Sequence, residues 1–238
     1  MSNILYYKLL EACRERGCPV CWVEAESVER HIVNQFYENV NSPKWRDRLR
    51  ASLGFCHEHA WLAVDKRLGD ALGFSIIYRD VVNSVLSHLD KEPGRSQPSR
   101  HWTSRLRQVP EQARNLMERW LSAITPSRRC PICEHRDETA RTILSVLLDG
   151  LKKQELAEAL QASDGLCFPH LQKSVEQVQD VSVGETLFAL HHEKLEGLRA
   201  ELMEFIRKND YQAASEGFGA EGDAWLRAVA MVVGSRRR

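Results

Sequence analysis

The hydrophobic and polar positions of this chain follow a helical period over most of its length. The clearest example begins after Cys21, where apolar residues recur at intervals of three and four and charged residues fill the positions between them. A second apolar stripe runs through residues 74–89, and no stretch shows a convincing two-residue alternation of a strand. The pattern therefore predicts an all-α fold.

Residues that typically start or stop helices divide this pattern into segments. Ser42 and Pro43 end the first long helix and begin a shorter one, with Ser42 as its N-cap. Two further helices are predicted at 57–68 and 74–89. Near the end of the chain, residues 182–185 have the Ser-x-x-Glu form of a capping box, which is expected to open the last long helix.

The same succession of elements returns in the second half, around a cysteine motif. Cys18-Pro19-Val20-Cys21 recurs as Cys130-Pro131-Ile132-Cys133, and each pair is followed by Gly-x-Cys-x-x-His, at 54–59 and at 165–170. The interval between the two parts of the motif differs by only one residue between the copies. A shift of 111 residues also superimposes leucine, serine and glycine positions outside the motif, so the sequence predicts an internal duplication.

This duplication predicts two related helical modules, at residues 1–92 and 108–211, packed with approximate two-fold pseudo-symmetry. Residues 93–107 lie in a stretch interrupted by prolines and are expected to link the modules. Residues 212–238 are expected to form a flexible tail that can contain a short helix.

Each copy of the motif contains three cysteines and one histidine, an ordinary ligand set for structural zinc. Two residues between paired cysteines allow one short turn to present both sulfurs to one ion. We therefore predict one closed Cys3His site in each module and two zinc ions per chain. The predicted ligands are Cys18, Cys21, Cys56 and His59 in the first module and Cys130, Cys133, Cys167 and His170 in the second.

Three other uses of these cysteines stay open at the level of sequence. A Cys-Pro-x-Cys pair at a helix start is also typical of thioredoxin-like redox sites, although no strand precedes either pair here. An iron–sulfur cluster can accept three cysteines and one histidine, although typical cluster spacings are absent. Unliganded buried thiols are the third reading, but chance burial does not reproduce the same four positions twice.

The composition says more about the cellular location of the protein than about its activity. The chain has 238 residues with 33 basic and 33 acidic side chains, so no overall field attracts nucleic acid or an anionic membrane. Neither a secretory signal nor an apolar run of membrane-spanning length is recognisable in the sequence. We expect a cytoplasmic protein, in which reduced cysteine pairs bind metal more often than they form disulfides.

A local excess of positive charge surrounds the predicted linker. Arg100, Trp102, Arg105 and Arg107 combine arginine with an aromatic ring, which gives a weak indication of contacts with nucleic acid. Phosphate-binding loops, nucleophile elbows and metalloprotease helices are absent from the sequence, so an enzymatic activity is not indicated. We expect a zinc-binding scaffold or adaptor that presents helical surfaces to a protein partner, with a redox- or metal-responsive protein as the alternative.

Three residues outside the motif also carry expectations. Cys13 has no cysteine counterpart in the second copy and is expected to be a small core residue. His191 and His192 are expected to lie on a solvated face of the last long helix, with one histidine facing a cleft as the less favoured alternative.

On these residues the sequence resembles an uncharacterised group of prokaryotic proteins that carry a C-P-x-C…G-x-C-x-x-H unit, followed by a long apolar helix, in tandem. The resemblance covers roughly residues 3–208 and rests on the ligand spacing. It implies metal binding at the eight cysteine and histidine positions given above.

Overall fold

The computed structural model describes residues 2–90, 111–211 and 216–235, so the predicted linker 93–107 lies outside the described residues. The described residues form an all-α fold, with eleven α-helices, one short 3-10 helix and no strand, as the helical period predicts. None of the helices in these ranges is both long and apolar enough to cross a membrane. The helices are α1 (Ser2–Ala12), α2 (Pro19–Glu38), α3 (Pro43–Ala51), α4 (His57–Asp65), α5 (Ala71–Asp90), α6 (Glu111–Ile124), α7 (Pro131–Gly150), α8 (Gln154–Ala162), α9 (Phe168–Val175), α10 (Val181–Lys208) and α11 (Ala224–Val233), with the 3-10 helix at Ala220–Asp223.

Proline fixes the start of three helices. Pro19, Pro43 and Pro131 occupy the first positions of α2, α3 and α7, where a helix has no partner for the amide hydrogen that proline lacks. Ser42 stands at the N-cap of α3 as predicted, but its side chain makes no capping hydrogen bond. The backbone constraint of proline therefore does more to start α3 than the serine hydroxyl does.

The last long helix begins earlier than the predicted capping box. Its first residue is Val181, and Asp180 is the N-cap, because the Asp180 carboxylate accepts hydrogen bonds from the Ser182 amide at 3.0 Å and from the Ser182 hydroxyl at 2.8 Å. Ser182 is thus a donor to the cap and not the cap itself. Asp180 is preferred over Ser182 as the N-cap because its ionised carboxylate lies next to the positive end of the helix.

Contacts divide the chain into two compact units that do not coincide with its two sequence halves. Unit 1 consists of Met1–Ser27 and Arg136–Arg238, and unit 2 consists of Val28–His135. The division differs from the predicted modules 1–92 and 108–211. The physical reason is that α2 and α7 are continuous helices, and each begins in one unit and ends in the other.

The core of unit 1 contains the cysteine motif as well as aliphatic side chains. Helices α1, α7, α8 and α10 and the first turns of α2 supply its buried residues, and Cys18 and Cys167 belong to the same cluster. Its largest fully buried side chains are Leu9, Ile143, Leu144, Leu147, Leu156, Leu160, Leu166 and Leu187. Burial of this apolar surface is the main stabilising term in the unit.

Unit 2 has a smaller core with more aromatic side chains. Ile32, Trp45, Leu49 and Ile77 are buried in it together with Cys130. Helix α3 packs against α5, and α5 packs against α6. As in unit 1, a cysteine of the motif lies among core residues, which places the candidate ligands inside the folded unit and not on a surface loop.

The C-terminal region differs from the flexible tail predicted for residues 212–238. Within its described part, 216–235, the 3-10 helix leads into α11, which packs against α9 and α10 of unit 1. Ala224 and Met231 are buried in this contact. The short helix allowed by the sequence is therefore present, and it belongs to the body of the unit.

Candidate metal centres

The eight predicted ligands gather into two groups of four. Site 1 consists of Cys18, Cys21, Cys167 and His170, and site 2 consists of Cys56, His59, Cys130 and Cys133. Within each group, one ligand atom from every residue lies within 4.8 Å of the others. Each group could therefore hold one metal ion.

The grouping corrects the prediction that each sequence half supplies a complete site. The Cys-Pro-x-Cys pair of each half is instead placed beside the Gly-x-Cys-x-x-His motif of the other half. Each site nevertheless lies within a single compact unit, site 1 in unit 1 and site 2 in unit 2. Each site therefore combines one half-motif from the first half of the sequence with one half-motif from the second half.

The length of α2 explains why the first half does not close on itself. This helix has 20 residues and starts beside Cys18, so it carries the chain about 30 Å away from that cysteine pair. Helix α3, with 9 residues, covers only about 14 Å before Cys56 is reached. The long α7 has the same length and has the same effect in the second half.

The ligand atoms of site 1 are separated by distances suited to one ion. The His170 Nδ1 atom lies 3.5 Å from the Cys18 sulfur, 3.4 Å from the Cys21 sulfur and 3.2 Å from the Cys167 sulfur. The sulfurs of Cys21 and Cys167 are 3.7 Å apart. All three thiols are unbridged by disulfides.

Site 2 has nearly the same dimensions. The His59 Nδ1 atom lies 3.1 Å from the Cys56 sulfur, 3.4 Å from that of Cys133 and 3.9 Å from that of Cys130. The Cys56 and Cys133 sulfurs are 3.6 Å apart. A tetrahedral ion with thiolate bonds of about 2.3 Å would hold its sulfurs about 3.8 Å apart, so both sites fit a single tetrahedral ion.

Helix starts surround both sites. Cys56 and Cys167 are the N-cap residues of α4 and α9, and Cys18 and Cys130 directly precede α2 and α7. The exposed amide groups and the positive ends of these helices favour thiolates over thiols. The helices therefore help to prepare the cysteines for metal.

The thiols of site 1 influence one another strongly. Hydrogen bonds from Cys18 and Cys21 lower the pKa of Cys167 to about 4, whereas burial raises the pKa of Cys18 well above its ordinary value. In site 2, burial also raises the pKa of Cys130, even though backbone amides donate hydrogen bonds to its sulfur. A metal ion that binds all three sulfurs of a site must displace the remaining thiol protons.

Site 1 has a carboxylate behind its histidine. The His170 Nε2 atom lies 3.0 Å from Glu24 Oε2, and both side chains are buried. The other oxygen, Glu24 Oε1, lies 3.5 Å from the Arg136 guanidinium. Burial lowers the pKa of His170, but the hydrogen bonds to Cys21 and Glu24 outweigh it and raise this pKa to about 9.

The turn that presents the Cys-x-x-His pair needs glycine in both sites. Gly54 and Gly165 have φ values of +89° and +82°, a region that disfavours other residues. The amide that follows each glycine is bound by a different side chain. The Leu166 N–H donates to His191 Nε2 at 2.9 Å, and the Phe55 N–H donates to the Tyr78 side chain.

This contact corrects the expectation for His191. The side chain is buried and not solvated, and its Nδ1 lies 2.7 Å from the Leu187 carbonyl oxygen. Because Nε2 accepts from Leu166, Nδ1 carries the proton and donates to that carbonyl, so His191 is neutral; burial lowers its pKa in agreement. His192 is exposed, as expected.

The C-terminal segment lies directly against site 1. The Cys18 N–H donates to Ser235 Oγ at 2.7 Å, and the preceding Gly17 N–H donates to Asp164 Oδ2 at 2.6 Å. A side chain at Gly234, whose φ is +99°, would contact the Cys21 sulfur at 3.6 Å. At site 2 the chain before Cys130 is held differently, because the amides of residues 127 and 128 donate to the Ala51 carbonyl.

The remaining sequence expectations have separate outcomes. Cys13 is buried in the core of unit 1, as predicted, and burial raises its pKa to about 11, which disfavours the reactive thiolate. Arg100, Trp102, Arg105 and Arg107 lie outside the described residues. Sequence reasoning missed Glu24, whose only signal is its position three residues after Cys21, on the same side of α2.

The fold and the sites together define a class of protein: over the residues that the structure describes, it is all-α and has two Cys3His groups that could hold metal. A family model described as "Family of unknown function (DUF6062)" matches residues 2–238, and the chain belongs to this family. No curated protein and no solved structure matches the chain significantly.

Proposed function

We propose that the protein binds two zinc ions, one at site 1 and one at site 2, and that each ion is a structural cross-link between helices. The observation that carries this proposal is the convergence of four ligand atoms per site at near-tetrahedral distances. Four protein ligands complete the coordination of structural zinc, whereas catalytic zinc keeps a position for water or substrate. The proposed role is therefore non-enzymatic.

The spacing of the ligand atoms supports a single ion over an iron–sulfur cluster. A cluster carries its ligands on several iron atoms, so ligands on different irons lie farther apart than the 4.8 Å within which all four ligand atoms of each site are found. Zinc also suits a mixed set of thiolates and imidazole. Such an ion would join residues that lie 146 positions apart in site 1 and 77 positions apart in site 2.

Exposed apolar helix faces support the proposed role as a scaffold or adaptor for a protein partner. Patches of this kind on a folded unit often mark interaction sites. Helix α6 of unit 2 and helix α11 of unit 1 each carry several large apolar side chains that are 44–68% exposed. These side chains are Leu116, Met117, Trp120 and Ile124 on α6 and Trp225, Leu226, Val229, Val232 and Val233 on α11.

A second candidate function, a redox-responsive protein, is favoured by the sulfur pairs. Cys21 lies beside Cys167, and Cys56 lies beside Cys133, and three of these four residues are only partly buried. If an oxidant such as peroxide removed two electrons from such a pair, a disulfide would form and the metal would lose two ligands. Loss of metal would then loosen the helices.

Metal analysis of protein purified without oxygen, combined with an absorption spectrum, tests the proposal. We expect two zinc ions per chain and no visible absorption. Clearly fewer than two zinc ions, or the colour of an iron–sulfur cluster, would contradict it. Treatment of the same sample with peroxide separates the two functions, since reversible zinc release with disulfide formation favours the redox protein and inert sites favour the scaffold.

A further inference from the structure

The surroundings of His170 carry an inference that rests on the proposed metal at site 1. In metal sites, a ligating histidine usually donates its second ring N–H to a carboxylate or carbonyl, which fixes the tautomer and the orientation of the ring. His170 directs Nδ1 toward the three sulfurs of site 1 and directs Nε2 toward Glu24. Nδ1 thus faces the other candidate ligands, while Nε2 faces the carboxylate.

Glu24 is suited to this role by its own burial and partners. Its side chain is only 8% exposed, so a lone carboxylate there would be costly. One oxygen lies 3.0 Å from His170 Nε2 and the other lies 3.5 Å from the Arg136 guanidinium, which balances its charge. Both oxygens of the buried carboxylate therefore have partners of suitable charge.

The position of Glu24 in the helix explains how it reaches the histidine. It follows Cys21 by three residues on α2, so it lies on the same side of the helix as this ligand, one turn further along. The residue that follows Cys133 by three positions is Arg136, which has no acceptor atom in its side chain. The Cys-Pro-x-Cys helix of site 2 therefore cannot supply a carboxylate from the same position.

We propose that Glu24 is a positioning residue for the metal of site 1: it holds His170 in the Nε2–H tautomer, with Nδ1 as the ligand atom. By the same interaction it makes the imidazole a better electron donor to the ion. Removal of the carboxylate is expected to weaken metal binding at site 1 by about 10- to 100-fold, the usual range for such partners of metal ligands.

The test compares Cys21 and Cys133, which occupy equivalent positions in the two sites and are both partly exposed. Zinc-loaded full-length protein is incubated with rising concentrations of a chelator and a thiol-alkylating reagent, and the labelled cysteines are identified by mass spectrometry. The chelator concentration at which each cysteine becomes half labelled reports the retention of metal at its own site.

In Glu24→Ala, the chelator concentration at which Cys21 becomes half labelled is expected to fall about 10- to 100-fold. The corresponding concentration for Cys133 is expected to stay unchanged. Glu24→Gln, which keeps an acceptor oxygen without the charge, is expected to give a smaller fall. Glu29→Gln is the matched control, because Glu29 is a partly buried glutamate of α2 that pairs with Lys66 at 2.6 Å and does not belong to site 1. It is expected to move neither value.

Two results would overturn the proposal. One is a Cys21 value within threefold of wild type in Glu24→Ala, and the other is an equal fall for Cys21 and Cys133, which would mean a general loss of folding. Failure of the proposed zinc binding can be distinguished from failure of the role proposed for Glu24, because without zinc binding the wild-type protein would hold no metal for the chelator to remove.

Discussion

Site 1 and site 2 each contain three cysteines and one histidine at similar distances, but different residues surround them. At site 1, Glu24 stands behind the histidine and Ser235 binds the amide of Cys18. At site 2, the Ala51 carbonyl holds the chain that leads to Cys130. The repeated motif therefore supplies the candidate ligand atoms of both sites, whereas residues that the motif does not include contact the surrounding backbone and side chains.

The same comparison extends to the turns that present the Cys-x-x-His pairs. Both turns use a glycine with positive φ, but the next amide is bound by a histidine of α10 in one unit and by a tyrosine of α5 in the other. The backbone amide that follows the glycine needs a hydrogen-bond acceptor in both turns, and different side chains supply it. The two sites offer the same candidate ligands, but different side chains support their turns.

The largest expected difference is between a ligand and a core cysteine of the same unit. Cys21→Ser should lower the free energy of unfolding by on the order of 5 kcal/mol, because structural zinc contributes its binding energy directly to folding. Cys13→Ser places a hydroxyl in the core and should cost about 1–3 kcal/mol while both metal ions are retained. Denaturant unfolding and metal analysis of both variants measure this difference, and equal losses with equal metal content would show that Cys21 is not a ligand.

A smaller effect is expected at the two presenting turns. Tyr78→Phe and His191→Leu each remove the acceptor of a backbone amide, and an unpaired buried amide costs about 1–3 kcal/mol. The matched controls are the exposed Tyr37→Phe and His192→Leu, which should each change stability by less than about 0.5 kcal/mol. Thermal unfolding of the four variants checks this, and controls as damaging as the turn variants would refute the role of these acceptors.

The helical period was sufficient to predict the fold class and most helices. The stripe at 74–89 corresponds to α5, and the break at Ser42 and Pro43 corresponds to the start of α3. The capping box was misplaced because Ser182 and Asp180 are both good capping residues two positions apart, and only the backbone shows which one precedes the first turn. The packing of the C-terminal helix was not predicted because its apolar run is short, and the sequence does not show that it packs against α9 and α10.

The sequence could single out the eight candidate ligands but not which of them share a site. The half-motifs of both copies carry the same ligand residues, so spacing alone allows each Cys-Pro-x-Cys pair to join either Cys-x-x-His pair. The pairing depends on where α2 and α7 carry the chain, which is a property of helix length and packing. Glu24 and His191 were missed for a related reason: a glutamate and a histidine on amphipathic helices resemble surface residues until their neighbours are known.

Labelling of the cysteines that remain in Cys21→Ser shows whether each Cys-Pro-x-Cys pair shares a site with the Gly-x-Cys-x-x-His motif of the other sequence half. In the zinc-loaded variant, an alkylating reagent should label Cys167 and leave Cys56 protected. In the matched variant Cys133→Ser, it should label Cys56 and leave Cys167 protected. If Cys21→Ser instead exposes Cys56 while Cys167 stays protected, each half closes its own site and the exchanged arrangement is contradicted.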